Sequence, residues 1–131
     1  MNRVVVTGLG AVTPIGLSAP ATWQAMKDGV NGIDRITRFD LTDYKATLAA
    51  EVKGFDPLNF GFNKPQARKM DLFTQYAVVA ADEAVRDSGI EGKIEPDRFG
   101  VYMGSGIGGI STLKCEHGKL LNEGVKKISP F

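Results

Sequence analysis

Apolar residues run without alternation through Arg3–Thr7, RVVVT. A β-branched run of this kind predicts a strand covered on both faces. Gly8-Leu9-Gly10 breaks the run, and Thr13-Pro14-Ile15-Gly16 makes a further turn. Ser18 then offers an N-cap with Pro20 in the first turn, so a helix is predicted there. Trp23, Met26 and Val30 fall at i, i+3 and i+7 as its apolar stripe, and Gly29 and Gly32 close it. Asp71–Ser88 carries the strongest helical pattern. Asp71 can cap it, Phe73, Ala77, Ala80, Ala81, Ala84 and Val85 share a face, and Gly89 stops it. Alanine on that face lets a neighbouring backbone come close, which predicts a central helix packed tightly on the sheet. Asp82 and Arg86, four apart, form a surface pair on the other side.

Residues 33–64 show no clear period. Ile33, Ile36, Phe39 and Leu41 read as a loop pinned by apolar side chains, Ala46–Val52 as a short strand, and Phe55–Phe62 as loop. Beyond the long helix, Glu91–Arg98 is a polar connector, Phe99–Met103 a strand and Ile110–Leu121 a helix. Strands alternating with helices predict an α/β layout with a mostly parallel sheet.

Composition narrows the class. The chain has 131 residues, 43% hydrophobic and 24% charged, which suits one soluble domain with one core. A net charge of +1 gives no global field for nucleic acid. The apolar runs are too short to insert in a membrane. The N-terminus enters a strand directly, without the h-region of a secretory signal. A single cysteine fits a reducing compartment, so a cytoplasmic protein is expected.

Phe99–Gly109, FGVYMGSGIGG, carries the densest glycine. Strand-to-helix turns at the carboxyl end of a strand are where α/β proteins bind ligands. Gly104 to Gly109 also satisfies G-x-G-x-x-G, a dinucleotide fingerprint when strand and helix flank it. The acid expected about 20 residues on would be near Glu123, which sits at a helix end with no second strand before it. On the residues alone, a structural turn and a nucleotide site both stay open.

Cys115 lies inside the helical pattern, not at an elbow, beside Lys114, Glu116 and His117. Cys115 and His117 are two apart and point to different sides of a helix. One Cys and one His fall short of a zinc site. They read as an incidental helix cysteine and a surface histidine, and no metal is expected. Lys64, Arg68 and Lys69 form one basic cluster, and Lys126 and Lys127 another. Solvated surface charge is the ordinary reading of both.

Several blocks together are more specific. Arg3–Gly16 (RVVVTGLGAVTPIG), Thr22-Trp23, Arg68-Lys69-Met70-Asp71 with Gln75-Tyr76-Ala77, Gly104–Gly109 (GSGIGG) and Ile128-Ser129-Pro130-Phe131 resemble the β-ketoacyl-acyl-carrier-protein synthases, in that family's order along the whole chain. The type II, elongating condensing enzymes are the most similar.

The resemblance implies a thiolase-like fold: the N-terminal portion of a layered αβαβα architecture with a mostly parallel mixed sheet, in a homodimer. It implies decarboxylative Claisen condensation without a cofactor, on acyl and malonyl thioesters delivered by an acidic acyl carrier protein. The nucleophilic cysteine and two histidines of the family are expected beyond Phe131, so this chain is read as a domain, 1–131, incomplete at its C-terminal end. Under the resemblance the glycine turn lies beside an acyl pocket and subunit contact, with Gly106, Ile107 and Gly108 as pocket residues. Lys64, Arg68, Lys69, Lys126 and Lys127 become carrier-docking residues. At Lys126 the family pattern has Arg, so charge survives but bidentate geometry is lost. A catalytically silent chain-length-factor-like partner and a Rossmann-like nucleotide-binding module are the alternatives.

Overall fold

The computed structural model describes residues 3–129. Their helices are α1 (Ala19–Lys27), α2 (Lys64–Arg68), α3 (Leu72–Ser88) and α4 (Ile110–Glu123), and their strands β1 (Ile33–Arg35) and β2 (Leu48–Ala50). Short 3-10 turns occupy Pro57–Phe60, Pro96–Arg98 and Val125–Lys127. The chain divides into two compact units, Met1–Asp56 with Val78–Phe99, and Pro57–Ala77 with Gly100–Phe131.

In the first unit, α1 starts where its cap dictates. Ser18 is extended, its hydroxyl oxygen accepts from the Ala21 amide at 3.2 Å, and Pro20 sits in the first turn. The helix ends at Asp28, followed by Gly29 at φ +67°. Its stripe of Trp23, Met26 and Val30 is exposed, not packed.

The Gly8-Leu9-Gly10 segment lies against α3. A Cβ at Gly8 would meet the Ala84 carbonyl oxygen, and one at Gly10 the Ala80 carbonyl oxygen. Small residues on both sides therefore set the approach, as the alanine face of α3 leads one to expect. What comes close is this segment, however, and not a sheet. Among the described residues no strand bonds its amides, and two carboxylates one helical turn apart accept them instead. Leu9 N–H donates to Asp87 Oδ2 and Ala11 N–H to Glu83 Oε2, each at 2.9 Å. Glu83 also accepts the first amide of α1, from Ala19, at 2.9 and 3.1 Å. One acidic side chain thus serves both the segment and a helix N-terminus, where negative charge is favourable.

The sheet differs from the sequence expectation. Among the described residues the one ladder is antiparallel, pairing Ile33 with Ala50, Asp34 with Ala49 and Arg35 with Leu48. Ala46–Val52 thus does contain a strand, and its partner comes from the stretch read as a pinned loop. Beyond the ladder, Ile36 N–H donates to Thr47 O at 2.9 Å, and the Thr37 hydroxyl donates to Glu51 at 2.8 Å. That hydroxyl, more than any other neighbour, holds the Glu51 carboxyl below its ordinary range. Phe39 and Tyr44 meet edge to face at 5.4 Å.

Arg3–Thr7 and Phe99–Met103 are in no ladder, and Val4, Val5, Val6, Val101, Tyr102 and Met103 are exposed. The physical reason is pairing. A β-branched run becomes a strand only when a neighbouring backbone supplies its hydrogen bonds, and none of the described residues does so here. The mostly parallel sheet is therefore not what these residues form.

Helix α3 spans the predicted residues, beginning at Leu72. Its most buried positions are Val79 and Gln75, four apart, while Ala81 and Phe73 are exposed. The helix is thus covered on two sides: Ala80 and Ala84 of the predicted face meet the Gly8–Gly10 segment, while Gln75 and Val79, outside that face, are the most buried. Asp82 and Arg86 do pair at the surface, at 2.6 Å. Leu41 is the other buried apolar residue among those described.

Candidate functional site

All of the candidate site residues lie in the second unit. The glycine turn leads into α4, with Gly109 as its N-cap residue. Ser105 Oγ accepts from the Gly108 amide at 3.0 Å, closing the turn on itself. Gly108 has φ +78°, a left-handed conformation that glycine adopts without strain. The edge of the Phe73 ring stands 3.8 Å from where a Cβ at Gly108 would be. At Gly109 the place of a Cβ is taken by the Asp71 carboxylate, which also accepts the hydroxyl of Thr112 on α4. The turn is thereby clasped by the chain entering α3.

From the sequence, Asp71 is expected to cap α3. Its side chain instead joins two sequence blocks that lie far apart, Arg68–Asp71 and Gly104–Gly109. The N-terminal half of the turn is open: no described residue comes within 4 Å of where a Cβ at Gly104 or Gly106 would be, and Ile107 is 78% exposed. Of the three pocket candidates, Gly108 is packed on Phe73, while Gly106 and Ile107 face open space.

The first basic cluster sits on a helix for which the apolar pattern gives no signal. Lys64 and Arg68 are the first and last residues of α2, and Lys69 is its C-cap. The helix is fixed by a capping box: Asn63 Oδ1 accepts from the Gln66 amide at 2.9 Å, and Gln66 Oε1 accepts from the Asn63 amide at 3.0 Å. Asn63 with Gln66 three residues on, and Pro65 between them, is a signal that could have found it. Gln75 Nε2 then ties α2 to α3, donating to the Ala67 and Met70 carbonyls at 2.9 Å each.

Lys126 and Lys127 end the Val125–Lys127 turn after α4. Among the described residues, no carboxylate pairs with Lys64, Arg68, Lys126 or Lys127. Glu116 on α4 accepts from Lys119 Nζ and from the Ser129 amide, each at 2.6 Å. The Lys119 ammonium, then the amide, hold the Glu116 carboxyl below the usual glutamate range, and Glu116 raises Lys119 in turn. Of the Ile128–Phe131 block, Pro130 and Phe131 lie outside the described residues.

Cys115 is a free, exposed thiol within α4, and His117 is exposed on the same helix. Among the described residues no three His, Cys, Asp or Glu side chains gather where a metal could bind. No described helix is long and apolar enough to cross a membrane. The dinucleotide reading meets a specific obstacle. A pyrophosphate needs the helix N-terminus free of other anions, and at α4 the Asp71 carboxylate already occupies the N-cap residue's open side.

Comparison with known proteins gives a consistent result. The chain is 48% identical to 3-oxoacyl-[acyl-carrier-protein] synthase 2 of Staphylococcus aureus strain COL, over 99% of this chain and 31% of that protein. The structure resembles one chain of a solved structure of a type II PKS acyl-carrier protein in complex with its ketosynthase bound to the hexaketide, with TM-score 0.76 and 28% identity over 98% of this chain and 34% of that one. It also resembles the ishigamide ketosynthase/chain length factor, with TM-score 0.75 and 29% identity over 98% of this chain and 32% of that one. The fold is accordingly the α/β, thiolase-like fold of the ketosynthases. The chain spans about a third of the length of these relatives. A family model described as "Beta-ketoacyl synthase, N-terminal domain" matches residues 1–131. On that match, the chain belongs to the β-ketoacyl synthase family.

Proposed function

We propose that this chain is the N-terminal domain, residues 1–131, of a longer β-ketoacyl-acyl-carrier-protein synthase that elongates fatty-acid or polyketide chains. The observation that carries the reading is the family match along the whole chain, together with the 48% identity to a synthase. In the reaction, a cysteine thiolate takes the acyl group as a thioester and releases the carrier thiol. The malonyl thioester then loses carbon dioxide, and the resulting carbanion attacks the acyl carbon, freeing the cysteine and forming the 3-oxoacyl product. That cysteine and its two histidines belong to the portion beyond Phe131, as does the rest of a layered αβαβα architecture with a mostly parallel sheet. Strand pairing there would give Arg3–Thr7 and Phe99–Met103 the partners they lack here. The complete enzyme is read as a cytoplasmic homodimer that needs no cofactor.

This domain's part is to bind. Gly106, Ile107 and Gly108 line the acyl pocket, with a branched apolar side chain at the turn's centre. Lys64, Arg68, Lys69, Lys126 and Lys127 face an acidic carrier protein. Their charge steers encounter more than it adds affinity. The solved complex of a ketosynthase with an acyl-carrier protein supports a carrier as partner.

A second reading is a silent chain-length-factor-like partner, which the similarity to a ketosynthase/chain length factor structure favours. The test is 3-oxoacyl formation by the complete protein from acyl- and malonyl-carrier thioesters. Product supports the synthase. Its absence, with activity restored by an added ketosynthase partner, supports the silent relative.

A further inference from the structure

Among the described residues, the turn Gly104–Gly109 is held at one end only. Its last two residues are packed, Gly108 on the Phe73 ring and Gly109 on the Asp71 carboxylate, while Gly104 and Gly106 are open and Ile107 is exposed. The hydrogen bond between Asp71 and Thr112 is what joins this end to α4 by side chains. Ile107 directly precedes the held pair, so any shift of Gly108 and Gly109 is passed to it with little resistance from the open side. We propose that Asp71, acting through Thr112, is a positioning residue that sets where Ile107 stands and so which acyl lengths are accepted. The inference rests on the pocket reading above and adds to it two polar residues that touch no substrate.

The geometry explains the residue types. A carboxylate can reach this place only because residue 109 has no Cβ. The hydroxyl that meets it lies in the first turn of α4, where an anion is favoured. The Ser105–Gly108 bond closes the turn but does not anchor it to another element.

The test has two arms. In this chain, amide exchange at Gly108, Ile110 and Leu113 reports the clasp, since each of these amides has an acceptor in or next to the turn. Thr112→Val should raise exchange there by about fivefold to tenfold, the loss of one hydrogen bond, and Thr112→Ser should restore it. In the complete synthase, kcat/KM is measured over a ladder of acyl lengths. Thr112→Val and Asp71→Ala should each change the long-to-short ratio by about tenfold, and the double variant should change it no further than either alone. Thr112→Ser should keep the original ratio, a rescue that a general loss of stability would not give. Where Asp71→Ala does not fold, the Thr112→Val and Thr112→Ser pair decides.

Unchanged exchange in Thr112→Val overturns the clasp. Faster exchange with an unchanged ratio overturns the link to selectivity. If Ile107→Phe alters the ratio and Thr112→Val does not, the pocket reading stands and this inference falls. If neither alters it, both fall.

Discussion

The backbone amide of Ser129 donates to Glu116 Oε2 at 2.6 Å, tying the segment that carries Lys126 and Lys127 back onto α4. Glu116 is held in its charged form by Lys119 and by this amide, so its carboxyl titrates below the usual glutamate range. A lowered folded value means the tie is at full strength above the ordinary glutamate pKa and is lost as pH falls through the lowered one. Lys119 is raised, so its share is complete below the ordinary lysine pKa and is lost as pH climbs through the raised one. The Ser129 amide proton shift should therefore move at acid pH with a midpoint below that of a free glutamate. A midpoint at or above the free value would contradict the arrangement.

Gly10 lies under the Ala80 carbonyl oxygen of α3. Gly10→Ala should destabilise the first unit by about 1–3 kcal/mol, the cost of forcing a methyl group into a packed place. Chemical denaturation measures it, and an unchanged midpoint would show that the segment does not pack on α3 as described.

Gln75 is 7% exposed and its amide group serves the Ala67 and Met70 carbonyls. Gln75→Leu keeps the bulk and removes both bonds. It should cost about 1–3 kcal/mol and loosen α2, raising amide exchange at Ala67 and Met70. Equal exchange in the variant would mean that α2 is held by its capping box alone.

These features divide by range. What adjacent residues decide was legible in the sequence: the Ser18 cap with Pro20, the extent of α3, the start of α4 at Ile110 and the Asp82–Arg86 pair. What needs a distant partner was not. Arg3–Thr7 has strand composition, but composition supplies no neighbouring backbone. Ile33–Arg35 has two charged residues in three and shows no strand pattern, yet it pairs because Leu48–Ala50 meets it. The same holds at the site. The glycines of the turn were evident, but that Asp71 is the group they make room for depends on a contact 38 positions away in sequence, between two blocks with no local signal of each other. Helix α2 is the exception, since its capping box of Asn63 and Gln66 is a local signal present in the residues themselves.

Charge reversal tests the proposed docking surface. In the complete synthase, Arg68→Glu and Lys127→Glu should slow association with an acidic carrier protein, most strongly at low salt. Stopped-flow association at two ionic strengths measures this. Unchanged rates in both variants would leave these residues as ordinary surface charge.

Ile107→Phe enlarges the side chain at the centre of the turn. It should reduce kcat/KM for long acyl chains more than for short ones, by about 10- to 200-fold per excluded methylene where the pocket fits closely. Equal losses at every length would point to damage to the fold and not to a pocket wall.

In the function we propose, this domain binds while the covalent chemistry belongs to a cysteine beyond Phe131. Cys115, an exposed thiol within α4, is the one cysteine of the chain and the direct rival. The decisive measurement is mass spectrometry of peptides after incubation with an acyl-carrier thioester, on this chain and on the complete synthase. The acyl adduct should appear in the complete synthase on a cysteine outside residues 1–131, and Cys115 should remain unmodified in both. An acyl thioester on Cys115, with condensation abolished by Cys115→Ala, would contradict the account.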